Sequence, residues 1–179
     1  MASSDKQPHI LLLTGTPGIG KTTLIRKVAS QLYQYHMGGF FTEEIREGGQ
    51  RKGFRLVTFN GEAGIIAHIN FDHHYSVSKY GVDVSVIDHF AETSLAIVDE
   101  IDVYLIDEIG KMECFSSIFV NKMKDLLNTD KAVIATVAKK GTGLIEQVKH
   151  WPGSELWELT HANRDARVTE VIKWLNAYC

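Results

Sequence analysis

Gly15-Thr16-Pro17-Gly18-Ile19-Gly20-Lys21-Thr22 has the spacing of a phosphate-binding loop: glycine, four residues, glycine, lysine, then a hydroxyl residue. The glycines let the backbone wrap so that successive N–H groups converge on phosphate oxygens, and a helix N-terminus behind them adds partial positive charge. Lys21 is placed to reach β- and γ-phosphates, and the Thr22 hydroxyl to hold Mg²⁺. A second stretch, Val103-Tyr104-Leu105-Ile106-Asp107-Glu108, is an apolar run that ends in two acids. Asp107 would contact the metal or one of its waters, and Glu108 stands next to it to polarise an attacking water. An apolar run plus Asp is common alone. Beside a complete phosphate loop it becomes specific.

These residues need elements to hold them. His9–Thr14 reads as a buried parallel strand ahead of the loop. Thr22–His36 reads as a helix with Leu24, Ile25, Val28, Leu32 and Tyr35 on one face, stopped by Gly38-Gly39. Gly39–Arg46 reads as a strand, Glu47–Gly53 as a turn and Phe54–Phe59 as a strand. Asn60-Gly61 is a hairpin turn, with Ile65–His68 returning. The stretch from about 46 to 68 is thus expected as a β-hairpin insertion. Asn70–Asp83 reads as irregular, and a helix is expected from Asp88 to Glu100. Beyond the Asp107 strand, Ser116 caps a helix to Leu127 and Ala132–Val137 is a strand. Leu144–His150 is a short helix and Glu155–Thr160 a last strand. A closing helix carries Val168, Val171, Ile172, Trp174 and Leu175. The alternation predicts an α/β fold, a three-layer sandwich with a mainly parallel sheet and the hairpin insertion, as one domain over 1–179.

The chain has 179 residues, 44% hydrophobic and 23% charged, which suits a globular protein rather than a disordered one. A net charge of −3 gives no general case for nucleic acid or an anionic membrane. No apolar run is long enough for a membrane span, and no leader pattern precedes the first strand. Cys114 and Cys179 have no metal-ligand spacing. A cytoplasmic or nuclear monomer is the expectation. His68, His73 and His74 lie close together without a Cys or spaced carboxylate to complete a metal set. Glu43, Arg46, Arg51 and Arg55 gather near a strand end and read equally as ligand contacts or surface charge. Glu44, Lys52, Lys139 and Lys140 read as solvated. Lys111 and Glu113 read as site lining or as a surface ion pair. Asn163 could meet a base edge and Arg164 a base plane or a phosphate, with a helix cap as the plain alternative.

Three stretches carry a resemblance: Gly15 to Thr23, Gly39-Phe40-Phe41-Thr42-Glu43-Glu44-Ile45-Arg46 with Gly48-Gly49 and Arg51-Lys52-Gly53-Phe54, and Ile106-Asp107-Glu108-Ile109-Gly110-Lys111-Met112-Glu113. Asn163-Arg164 fits as well. The sequence resembles the cancer-related nucleoside-triphosphatase family, also known from thermophilic microbes. That resemblance implies a RecA-like or kinase-like phosphate-loop fold and slow hydrolysis of ATP, GTP, CTP and UTP with broad base choice. It places nucleotide contacts on Gly15, Thr16, Pro17, Gly18, Ile19, Gly20, Lys21, Thr22 and Thr23. A second set falls on Leu105, Ile106, Asp107, Glu108, Ile109, Gly110, Lys111 and Met112. It implies nothing for Asn70–His74. The expected chemistry is Mg²⁺-dependent triphosphate hydrolysis, with Lys21, Glu108, Arg46 and Arg164 catalytic and Thr22 and Asp107 on the metal. The rivals are a small-molecule kinase and a nucleotide-operated binding switch.

Overall fold

The computed structural model describes residues 7–72 and 74–179. The polar stretch Met1–Pro8, which its composition marks as loose, lies mostly outside these residues, and so does His73. All nine strands among the described residues join one sheet, in the order β5-β6-β4-β3-β2-β7-β8-β1-β9. In chain order these are β1 (Ile10–Thr14), β2 (Met37–Glu47), β3 (Gln50–Thr58), β4 (Ala63–His68), β5 (Tyr75–Val77), β6 (Tyr80–Val82), β7 (Val103–Ile109), β8 (Ala132–Val137) and β9 (Ser154–Glu158). The helices are α1 (Lys21–Gln31), α2 (Val84–Ser94), α3 (Ser117–Leu127), α4 (Leu144–Val148) and α5 (Arg164–Tyr178).

The parallel half is β2-β7-β8-β1-β9. Its inner strands β1, β7 and β8 are mostly apolar because helices cover both faces. Along β1, Leu11 and Leu13 pack with α1 and α5, while Ile10 and Leu12 pack with α2, α3 and α4. All four are fully buried. Truncating one such leucine to Ala costs ~2–5 kcal/mol. This is the three-layer α/β sandwich that the sequence pattern predicts. The order of β1, β7 and β8 brings the ends of β1 and β7 to one edge, where open sheets of this kind bind ligands.

The antiparallel half, β2-β3-β4-β6-β5, holds the hairpin expected over about 46–68, and that hairpin extends the core sheet. β2 runs on past its parallel partner β7, and β3 and β4 extend the same sheet from it. The turn is tighter than the one expected at 47–53: Gly48-Gly49 alone, both at positive φ, join β2 to β3. The expected irregular stretch 70–83 holds a further small hairpin, β5–β6, whose Ser78-Lys79 turn has no glycine to announce it. The helix expected from Asp88 instead starts at Val84, because the Asp83 side chain caps it by accepting from the Ser85 N–H at 3.1 Å.

Gly38-Gly39 also needs correcting. The helix α1 ends at Gln31, well before them, and the chain then turns so that His36 meets Asp102, with N–H to Oδ2 at 2.8 Å. That contact starts β2 beside β7. The glycines serve this strand pairing. A Cβ on Gly38 would stand 2.7 Å from the Tyr104 ring, and one on Gly39 would stand 2.0 Å from the Leu105 carbonyl oxygen. Gly39 also sits at φ +92°. Gly39→Ala should therefore lower stability by ~2–4 kcal/mol, combining strain and clash. Urea unfolding followed by circular dichroism checks this, and a midpoint equal to that of the parent chain would contradict it.

Candidate active site

The phosphate loop stands between β1 and α1. Gly18 and Gly20 adopt positive φ, and Gly20 begins α1 without any side-chain cap. The first-turn N–H groups of α1 are thus left to an outside acceptor. The loop is braced from behind: Leu159 donates its N–H to the Thr14 carbonyl at 2.7 Å. The Arg164 guanidinium donates to the Ile19 carbonyl at 3.2 Å.

Asp107 ends the apolar part of β7 and is 1% exposed. Its carboxylate accepts from the Thr22 hydroxyl at 2.7 Å and the Thr136 hydroxyl at 2.7 Å. Thr42 adds its hydroxyl at 3.2 Å and its N–H at 3.3 Å. Elements α1, β2, β7 and β8 therefore meet on one buried group. Thr42 and Thr136 are its less obvious partners. Thr42 lies in a stretch the sequence flags only for its acids and arginines. Thr136 lies in a strand that otherwise reads as plain core.

Glu108 follows Asp107 across a cis peptide bond and turns toward the loop. Its carboxylate lies 3.5 Å from the Lys21 ammonium, which also donates to the Gly15 carbonyl at 2.9 Å. Burial raises the Glu108 pKa, opposed by the Lys21 charge and assisted by Asp107. A carboxylate made more basic in this way is a better proton acceptor at neutral pH. Thr22 and Asp107 offer hard oxygens side by side, which suits Mg²⁺ held by few protein ligands together with substrate phosphates. No cluster of three or more His, Cys, Asp or Glu side chains suited to a metal occurs among the described residues.

The remaining residues sort clearly. The structure does not bring Arg46 to the loop. It is bound to Glu44 at 2.8 Å and to the Gly49 carbonyl at 3.1 Å, near the end of β2, four residues beyond Thr42 and ~13 Å along the strand. Arg51 pairs with Glu44 and Tyr80, and Arg55 and Arg26 both pair with Glu43. Arg167 pairs with Glu170. Arg164 is thus the arginine on the phosphate loop. Asn163 spends its amide within its own turn, accepting from the Thr160 N–H at 2.8 Å and donating to the Glu158 carbonyl at 2.9 Å. Lys139 pairs with Glu158 at 2.9 Å. His68 accepts from the Asn70 N–H, and His74 meets the edge of Tyr75.

Lys111 and Glu113 do not form the surface ion pair considered from the sequence, since Lys111 is exposed and Glu113 is 5% exposed. Burial and then the nearby Glu108 push the Glu113 carboxyl up to about 8. Unfolded, this group releases its proton near the ordinary value of 4.5. Between those values the folded state holds the extra proton, so this group makes stability fall as pH rises. Glu113→Gln removes that dependence. Its melting temperature should gain on the parent chain from about pH 5 to about pH 8 and then level off. Thermal unfolding across pH reads this directly, and a gap that stays constant would refute it.

Known proteins resemble this chain over most of its length. Residues 10–172 match the family model described as NTPase. The nucleoside-triphosphatase THEP1 of Thermotoga petrophila is 40% identical over 163 residues, covering 90% of both chains. The human cancer-related nucleoside-triphosphatase is 32% identical over 181 residues, covering 90% of this chain and 94% of the human one. The crystal structure of THEP1 from Aquifex aeolicus superposes with a TM-score of 0.84 at 34% identity, covering 93% of this chain and 98% of that one. The solution structure of a human cancer-related nucleoside triphosphatase gives 0.81 at 30% identity, covering 94% and 98%. The likeness runs from the first core strand into the closing helix and takes in both the loop and the acids that face it; the chain belongs to the NTPase family.

Proposed function

We propose that the chain hydrolyses nucleoside 5′-triphosphates to the diphosphate and phosphate, with Mg²⁺, slowly and with broad base choice. One observation carries the reading: Lys21 and Glu108 face each other at 3.5 Å beside the Thr22–Asp107 pair at 2.7 Å. These are the groups that in-line attack of water on a γ-phosphorus needs, gathered at the ligand edge of a parallel sheet. The loop amides and Lys21 bind the β- and γ-phosphates. Glu108 takes a proton from water as the water oxygen bonds to phosphorus. The bond from phosphorus to the bridging oxygen breaks, and the diphosphate leaves. Thr22 and Asp107 are the residues that would hold Mg²⁺, whose chemistry when bound is to offset phosphate charge.

The arginines support slow turnover. One that reaches the transition state is worth ~10³–10⁵ in rate, and each arginine here already has a protein partner. Arg164, on the loop, is the one we assign to the triphosphate. Broad base choice agrees with Asn163, whose amide is committed to its own turn rather than free to read a base edge. Asn163 then walls the base end of the site by shape. The whole chain acts as one catalytic domain with a cytoplasmic or nuclear home. No helix among the described residues is long and apolar enough to cross a membrane.

Glu108→Gln tests the mechanism. It should keep nucleotide affinity while phosphate release falls by more than about tenfold, a positioned base supplying ~10² or more. Unchanged turnover would remove Glu108 from the reaction. Terminally labelled ATP incubated with a metabolite pool tests the reaction class. The label should appear in inorganic phosphate, and its faster appearance on a metabolite would make the chain a kinase instead.

A further inference from the structure

Glu113 has a place in the fold that its chemistry makes costly. A buried carboxyl needs compensation, and an apolar side chain of the same size would fill this position at less expense. The loop that carries it is well anchored. Cys114 donates its N–H to the Gly110 carbonyl at 3.0 Å, and a short 3-10 turn over Glu113–Phe115 follows. Ser116 then caps α3 and also bonds the Asp88 side chain. Glu113 is therefore held at both ends, and its carboxyl is turned inward toward the start of the loop. The backbone amides of Gly110 and of Glu113 itself lie near that carboxyl.

The important neighbour is Glu108. A Cβ built on Gly110 would stand 2.7 Å from Glu108 Oε1 and 3.0 Å from Glu113 Oε2. The two carboxyl groups thus converge on the one spot that a residue without a side chain leaves open. Glu108 has Lys21 on one side and this spot on the other. Lys21 is a flexible partner that must also serve phosphates. Glu113 is the rigid one, buried on an anchored turn.

We propose that Glu113 is a positioning residue: packed against Glu108 across Gly110, it holds the Glu108 carboxylate in the direction from which it takes the proton of the attacking water. This rests on the role of Glu108 proposed above. Glu113 acts only through Glu108. Misplacement of a catalytic group by about an ångström is enough to lose ~10² in rate, so the effect belongs to kcat and not to nucleotide binding.

The test uses Glu113→Gln, which keeps shape and polarity, and Glu113→Met, which keeps length and removes the oxygens. Both are measured on the full chain with ATP and Mg²⁺, with melting curves to confirm folding. Glu113→Met should lower kcat by at least about tenfold with KM within about threefold, and Glu113→Gln should recover at least about a third of the parent kcat. In the Glu108→Gln background, Glu113→Met should add almost nothing, because a residue that acts through another shows no independent effect. A folded Glu113→Met chain with parental kcat overturns the proposal, and so does a double variant whose losses multiply. If Glu108→Gln alone leaves turnover intact, the role of Glu108 fails first and the two failures are told apart.

Discussion

The rest of the structure depends on the buried carboxylate of Asp107. An acid that is 1% exposed is tolerable only if hydrogen bonds replace the water it has lost. Here the replacements come from Thr22, Thr42 and Thr136, on three different elements. Removing any one of them would leave part of a buried charge-bearing group unsatisfied, which costs ~1–3 kcal/mol or more. The same constraint that stabilises the edge of the sheet therefore fixes Thr22 and Asp107, the two groups proposed for the metal. Thr22 is the first-turn hydroxyl behind Lys21, so the position of the phosphate loop relative to β7 is set by this contact.

The two halves of the sheet divide the work. The parallel half supplies loop, acid and rigidity, because its strands are buried on both faces. The antiparallel half grows from β2, which belongs to both. Near its start, Gly38 and Gly39 let it run close against β7. Past the point where β7 ends its pairing, Thr42 reaches Asp107 and Glu43 gathers Arg26 and Arg55. One strand thus links the site to the outer hairpin, where Glu43 and Glu44 pair with arginines.

The electrostatics of the site are a balance of three acids and one base. Lys21 lies 3.5 Å from Glu108 on the loop side, burial makes Glu108 more basic, and burial pushes the deeper Glu113 up to about 8. Two neighbouring carboxyl groups do not both ionise cheaply. The one with access to the loop is Glu108, the one sealed beneath it is Glu113, and burial decides which is which.

The amino-acid sequence by itself determined the local chemistry. The loop from Gly15 to Thr22 and the apolar run into Asp107-Glu108 were legible, because each is a short contiguous pattern whose spacing is the mechanism. The alternation of strands and helices likewise announced an α/β sandwich. What only the tertiary structure decided depends on contacts between distant residues. Whether an arginine faces a phosphate depends on which partner it finds first, and for Arg46 that is Glu44 and Gly49. Gly38-Gly39 looked like the end of a helix but are the close approach of two strands, visible only once Tyr104 and Leu105 lie beside them. Thr136 looked like core until β8 set it against Asp107. Glu113 read equally as site lining or as a surface partner of Lys111 until the turn at Gly110 folded it inward toward Glu108. A side chain's type is written in the sequence, but its partner is chosen by packing, and in this site the partner gives the type its role.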